Sequence, residues 1–393
     1  MDGPISPPPL TGGGARELPA YVSNGVIGLR VRAQPLAPGI ALVSGFAGEH
    51  PDRQIEAAAV APYPLAGDLA VDGVWLSDIP HQVRELNQAY DFETAELTSR
   101  FVLEACGRTV ECEVLTFASR VDPTLVCQEV LVQVDGACDL QLRALVDADG
   151  AGGRALRALR ETPGEPTPSC DGSLLWESPG GICRLGLAYV TELRGADAEP
   201  QLPALSSERL VSTYGFRARK GVRYRLRQVT SVVPDALHAQ PDQQAVRLAA
   251  KARSDGFDAI RAGNRAAWAE LWKGRIRLHG ADPRWQALAD AAFYYVNASV
   301  HPSSPASTSI FGLATWHDYH YYYGHVMWVI EAFVVPFLTL AQPRAAEAIL
   351  DYRFRTLPAA RRNARLMGRR GAQYAWESAP STGDEAAPMP GTA

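Results

Sequence analysis

The chain is short of lysine, of closely spaced cysteines and of any long apolar run. Only Lys220, Lys251 and Lys273 are lysines, and the other strongly basic residues are arginines. No dense basic stretch exists and the net charge is −5, so nucleic acid is not an expected partner. The six cysteines, Cys106, Cys112, Cys127, Cys138, Cys170 and Cys183, all lie in the first half and contain no C-x-x-C pair. That spacing leaves out a zinc site, and reduced thiols buried in strands are expected. The most apolar run, residues 326–341, is broken by Glu331 and Pro336. It falls short of the roughly 20 residues a membrane span needs, so no membrane is expected as a partner. Residues 1–16 are rich in Pro and Gly without an apolar core. No signal peptide is read there, and a cytoplasmic location is expected.

What remains is the composition of a folded chain. The 393 residues are 47% hydrophobic and 21% charged, too many for one ordinary core. Residues 21–233 read as β-structure. Val110 to Val114 alternates apolar and charged residues, as a half-buried strand does. Residues 124–134, 138–146 and 182–193 are further strands. Residues 209–217 and 222–233 flank Ala218-Arg-Lys-Gly221, which reads as a hairpin loop. The Gly-, Pro- and Ser-dense stretch 148–181 reads as a long mobile loop. Many strands at short intervals predict a large antiparallel β-sandwich.

Past Pro234 the pattern becomes helical. Residues 243–252 and 257–272 are rich in Ala, Arg and Gln, and Phe257, Ile260, Trp268, Leu271 and Trp272 fall mostly on one face. Asp282-Pro283 is a good start for a helix, a capping side chain followed by a pre-set first residue. Trp285, Leu288, Ala292 and Tyr295 then recur at helical spacing. Residues 303–323 read as a loop and 324–341 as a helix bent by Pro336. Pro343 and Pro358 open two more helices, and residues 385–393 read as a loose end. The expected division is a disordered 1–17, a β-sandwich over 18–235, a helical linker over 236–280 and a helical domain over 281–393.

Chemistry concentrates near the end of the chain. Gly324-His325-Val326-Met327-Trp328-Val329-Ile330-Glu331 is followed by Tyr352-Arg353, by Gly371-Ala372-Gln373-Tyr374-Ala375-Trp376-Glu377-Ser378 and by Thr382-Gly383-Asp384-Glu385. Aromatic rings beside carboxylates suit sugars, whose C–H faces pack on rings and whose hydroxyls need acceptors. Periodicity alone would place Trp328 in a core beside Met327 and Ile330. His317, His320 and His325 with Asp318 do not make a convincing metal site. Asn297-Ala298-Ser299 matches a glycosylation sequon inside a predicted helix and is discounted.

These motifs resemble those of glycoside hydrolase family 65: a G-H-x-F-W-D-x-E stretch, a Y-R segment, G-A-x-x-P-W-E-S and T-G-x-E. Ser23-Asn24-Gly25-Val26-Ile27-Gly28 is similar to the family's N-G-x-x-G opening. The resemblance implies a multidomain β + α chain: an N-terminal antiparallel β-sandwich, a helical linker and an (α/α)6 barrel. Twelve barrel helices with loops need far more residues than 281–393 supply, so only the first part, about a third, is expected. It further implies an α-glucoside sugar as partner, with inorganic phosphate for a phosphorylase, no cofactor, and a homo-oligomer as an option. His325, Trp328, Glu331, Trp376, Glu377 and Glu385 become the candidate substrate-binding residues, with Trp328 a wall of the glucose subsite. The family's general acid is expected beyond residue 393, so a catalytic residue is left unassigned. A catalytically inactive remnant or sugar-binding module is the alternative reading. Val329 stands where the family usually has Asp. A missing charged acceptor would weaken hydroxyl binding by about 1.5–3 kcal/mol, and Glu331, about 200° around an ideal helix, cannot replace it. Val334, Phe337 and Leu338 are the expected exposed apolar positions of an unfinished barrel.

Overall fold

The computed structural model describes residues 20–160, 170–202, 209–314 and 321–387. The expected disordered 1–17, the His317, Asp318 and His320 group and the last six residues lie outside them.

Strands in the first part alternate where one face is buried and the other is partly open, and run apolar where both faces are covered. An eight-stranded antiparallel sheet runs in the order Arg154–Leu159, Gly172–Glu177, Arg184–Arg194, Arg223–Pro234, Leu125–Val134, Arg108–Ala118, Glu96–Ala105, Val83–Asp91. Two four-stranded sheets cover one of its faces. One holds Ala20–Ser23, Ile27–Val31, Ile40–Glu49 and Glu56–Ala61; the other holds Arg209–Ala218, Cys138–Asp147, Tyr63–Val71 and Val74–Trp75. Val126, Leu187 and Val232 close the first interface, and Val114, Val130 and Leu226 the second. On the opposite face Leu115, Phe117, Cys127 and Val229 meet two helices, α1 (Pro241–Asp255) and α2 (Phe257–Trp272). Period-two alternation therefore feeds two separate cores from the same strands.

Three local expectations change. Residues 148–181 are not one loop, because Arg154–Leu159 and Gly172–Glu177 pair and extend the large sheet. Residues 218–222 do not close a hairpin, since Arg209–Ala218 pairs with Cys138–Asp147 while Arg223–Pro234 joins the other sheet. Sheet membership depends on non-local partners, which a short turn does not reveal. All six cysteines are free thiols; five are buried and Cys106 is exposed. Cys106 occupies a hairpin turn at φ +52°, next to Gly107 at +70°, as a two-residue type I′ turn requires.

The helical segment begins with α3 (Pro283–Ser299), where the Asp282 carboxylate accepts the Arg284 N–H. Its buried residues are Asp290, Phe293, Tyr294, Asn297 and Ala298. Trp285, Leu288, Ala292 and Tyr295 form the outer face. Asn297 is buried, and its side-chain amide donates to the Phe293 carbonyl at 2.7 Å. Then follow α4 (Val335–Ala341), α5 (Pro343–Arg355) and α6 (Leu357–Leu366). Val300, Ile330, Leu338 and Ile349 form a core shared by α4 and α5. Leu338 is buried, with Val334 and Phe337 packed on that core. Among the described residues the most exposed apolar side chains are instead Phe333, Leu340, Phe354 and Leu366. Among the described residues no helix is long and apolar enough to cross a membrane.

One arginine ties the two parts together. The buried Arg120 guanidinium donates to the carbonyls of Asn24, Asn297 and Val300 at 2.7, 2.7 and 3.1 Å and to Gln342 Oε1 at 2.8 Å. Burial pushes its pKa down to about 10, and among the described residues no carboxylate pairs with it. Asn24 turns the chain here, its Oδ1 accepting the N–H groups of Val26 and Ile27. A Cβ on Gly25 would come within 2.3 Å of the Val300 carbonyl carbon, and one on Gly28 within 2.4 Å of Leu313 Cβ. The N-G-x-x-G opening is thus where the sandwich meets the end of α3 with no room for side chains.

Candidate active site

The expected helix from Gly324 starts later than its sequence suggests. Val326–Met327 is extended and pairs antiparallel with Glu377–Ser378. A two-residue bridge carries no visible period, so apolar content alone reads as helix. The chain then turns through a π-helical stretch, Ile330–Val334, closed by a bond from the Val335 N–H to the Ile330 carbonyl. Pro336 has no N–H to give the Ala332 carbonyl, and a one-residue widening before it absorbs that loss.

The bridge sets the site. Its register pairs Val326 with Ser378 and Met327 with Glu377. One step further along the same register Trp328 stands opposite Trp376. Their ring centroids are 5.4 Å apart at 64°, an edge-to-face pair. Trp328 is 46% exposed, so the pair presents indole surface to solvent rather than filling a core.

The carboxylates surround this pair, and each already has protein partners. Glu331 receives Arg353 through Nε at 2.7 Å and Nη2 at 3.1 Å, while Arg353 Nη1 donates to Ser378 Oγ at 2.8 Å. One guanidinium thus fastens the π-turn to the bridge, a fork geometry that lysine could not supply. Glu377 is buried, with Oε2 2.9 Å from His325 Nδ1. His325 Nε2 lies 2.8 Å from the Glu56 carbonyl. Both ring nitrogens of His325 thus face oxygen atoms, one of the Glu377 carboxylate and one of the Glu56 carbonyl. The Glu385 carboxylate accepts the N–H groups of Trp376 and Glu377 at 3.1 and 3.3 Å, so residues 385–387 are tied down. The Tyr352 hydroxyl, raised in pKa by burial, donates to the Ala379 carbonyl at 2.7 Å.

The six candidate residues therefore gather around one short bridge. Two of them offer aromatic surface, and four build its frame. Val329 is half-buried at the start of the π-turn and supplies no acceptor. Sequence reasoning missed Arg353 as a site residue, although Tyr352-Arg353 signalled it, and missed Glu56, which nothing in the local sequence marks.

Family models match both parts of the chain. The family model described as Glycosyl hydrolase family 65, N-terminal domain matches residues 14–271, and that described as the family 65 central catalytic domain matches residues 318–391. A kojibiose hydrolase from Mucilaginibacter mallensis is 27% identical over 316 residues, covering 78% of this chain and 45% of its own length. A protein-glucosylgalactosylhydroxylysine glucosidase from Gallus gallus is 39% identical over 127 residues, or 31% of this chain and 18% of its own. The chain thus spans less than half the length of these relatives. A solved structure assigned as a kojibiose phosphorylase from the human microbiome shares the fold at TM-score 0.76 and 13% identity, over 94% of this chain and 50% of its own. With the N-terminal domain matching well over half of its residues and the tryptophan bridge inside the catalytic-domain match, the chain belongs to glycosyl hydrolase family 65.

Proposed function

We propose that residues 325–385 form one wall of a glucosyl subsite, with Trp328 and Trp376 as the surface on which an α-linked glucose packs. The observation that carries this is the half-exposed edge-to-face tryptophan pair, fixed by a two-residue bridge whose backbone and carboxylates are satisfied elsewhere. Helices α3 to α6 are read as the opening part of an (α/α)6 barrel. The reaction would be inverting hydrolysis or phosphorolysis of a glucosyl disaccharide or glycoconjugate. In such a reaction a carboxylic acid protonates the departing oxygen while water or phosphate attacks the opposite face. Glu331, Glu377 and Glu385 are assigned to the frame, and none of them to the acid. Kojibiose is the first sugar to test, since relatives at 27–39% identity are named for its hydrolysis or phosphorolysis.

The test uses the purified chain with kojibiose, maltose and trehalose, with and without phosphate. Kojibiose should quench tryptophan fluorescence without release of glucose or glucose 1-phosphate. Trp328→Ala should weaken binding by about tenfold or more, the worth of one stacked ring. Undiminished binding by Trp328→Ala would remove the subsite, and clear turnover would place an acid among these residues.

A further inference from the structure

The bridge is held not only from its own helices but also from the sandwich. Strand Glu56–Ala61 is the edge of the first four-stranded sheet and runs against residues Tyr321–Gly324. Its first residue, Glu56, makes three contacts with the site. Its backbone carbonyl lies 2.8 Å from His325 Nε2. Its Oε1 accepts the Ser381 N–H, and its Oε2 accepts the Thr382 hydroxyl at 2.9 Å. Beside it the His50 ring meets Tyr323 edge-on at 4.9 Å.

Those contacts reach both chains of the bridge. His325 directly precedes Val326. Ser381 and Thr382 are the tip of a closed turn in which the Ala379 N–H bonds to the Asp384 carbonyl and the Gly383 N–H to the Ala379 carbonyl, both at 2.9 Å. The same turn returns Glu385 to the N–H groups of Trp376 and Glu377. Among the described residues no cation pairs with Glu56, so its charge is directed to the turn and not to a salt bridge.

We infer that Glu56 is a positioning residue for the sugar wall: its carboxylate holds the 379–385 turn, and through Glu385 it fixes Trp376 opposite Trp328. The inference rests on the subsite reading for its ligand, but its structural half can be measured without one. A sandwich residue then sets the aromatic geometry of a site on the helical segment, and the wall is incomplete when residues 281–393 stand alone.

The experiment compares the full chain with Glu56→Ala, Glu56→Gln and Thr382→Val. Hydrogen exchange is followed over residues 376–386 and kojibiose binding by tryptophan fluorescence. Glu56→Ala should speed exchange of those amides and weaken kojibiose binding, each by roughly tenfold, as loss of a charged acceptor predicts. Glu56→Gln keeps one acceptor oxygen and should recover most of both effects. Thr382→Val removes one bond from the other side and should give a smaller change in the same direction, with exchange in the sandwich core unaltered. Unchanged exchange over 376–386 in Glu56→Ala would overturn the inference, and so would equal acceleration throughout the sandwich. If the unmodified chain takes up no kojibiose, the subsite reading fails by itself, and the exchange rates alone decide on Glu56.

Discussion

In the sandwich, Val126, Val132, Leu140 and Leu187 are wholly shut off between sheets, whereas in the helical segment Leu340 is 88% exposed and Leu366, Phe354 and Phe333 nearly as much. Both regions carry apolar residues at the period of their element. They differ in how many neighbours each element has. The large sheet is covered on one face by the other two sheets and over the middle of its second face by α1 and α2. Helices α4 and α5 bury one stripe between themselves, Val300 and Ile330, and among the described residues Leu340 and Phe354 on their other side stay in solvent. Period alone decides whether an element forms; closure of a core requires a partner on each apolar face.

Breaking the tie between the two regions should have the largest effect. Arg120→Ala removes four hydrogen bonds and leaves the Asn24, Asn297 and Val300 carbonyls without that partner. A loss of about 3–5 kcal/mol is expected. Urea unfolding should then split, with the helical segment melting before the sheets. A single transition with unchanged midpoint would mean that the regions are coupled elsewhere, through Ser23 with the Ala298 carbonyl and Ser304 with the Gly25 carbonyl for example.

The same contrast shows what was legible in the sequence. Strands 110–114 and 124–134 were readable because one face of each is buried against apolar partners while the other carries Glu111, Glu113 and Gln133. Helix starts at Pro283, Pro343 and Pro358 were readable because a proline there is a local signal. The pairing of 154–159 with 172–177 was not, because Gly and Pro density masks two short strands. The 326–327 bridge was not, since its partner lies fifty residues away and two residues show no alternation. At the site, Trp328 and Trp376 stood out as aromatics beside carboxylates. The engagement of Glu331 by Arg353 and of Glu377 by His325 needed coordinates, and Glu56 lies in the other region altogether.

A second effect is set by pH at the junction. His301 Nδ1 accepts the Ser303 N–H at 3.0 Å, so the ring proton sits on Nε2, 3.2 Å from the Arg120 carbonyl. Burial, with the nearby Arg120 charge, pushes its pKa down to about 3. The unfolded chain therefore binds a proton that the folded chain refuses between about pH 6.5 and 3. The stability is fully present above the unfolded pKa and falls as pH drops through this window. Between about pH 6.5 and 5 the loss is on the order of 2 kcal/mol, at about 1.4 kcal/mol per pH unit. His301→Asn should flatten that part of a stability-versus-pH profile, and an unchanged slope would show that the ring is protonated in the fold.

The smallest effect on stability tests the comparison itself. Phe333, Leu340, Phe354 and Leu366 pack on little within this chain, so changing all four to Gln should alter unfolding free energy by less than about 0.5 kcal/mol each. Their removal should nevertheless lower hydrophobic-dye binding and concentration-dependent light scattering, because exposed apolar surface drives association. The sandwich offers the control: Leu187→Gln places a polar amide in a closed core and should cost several kcal/mol. If the fourfold variant instead melts as far below the parent as Leu187→Gln does, those four side chains are covered in solution. The helical face would then be as closed as the sandwich, and the difference between the two regions would belong to the isolated chain alone.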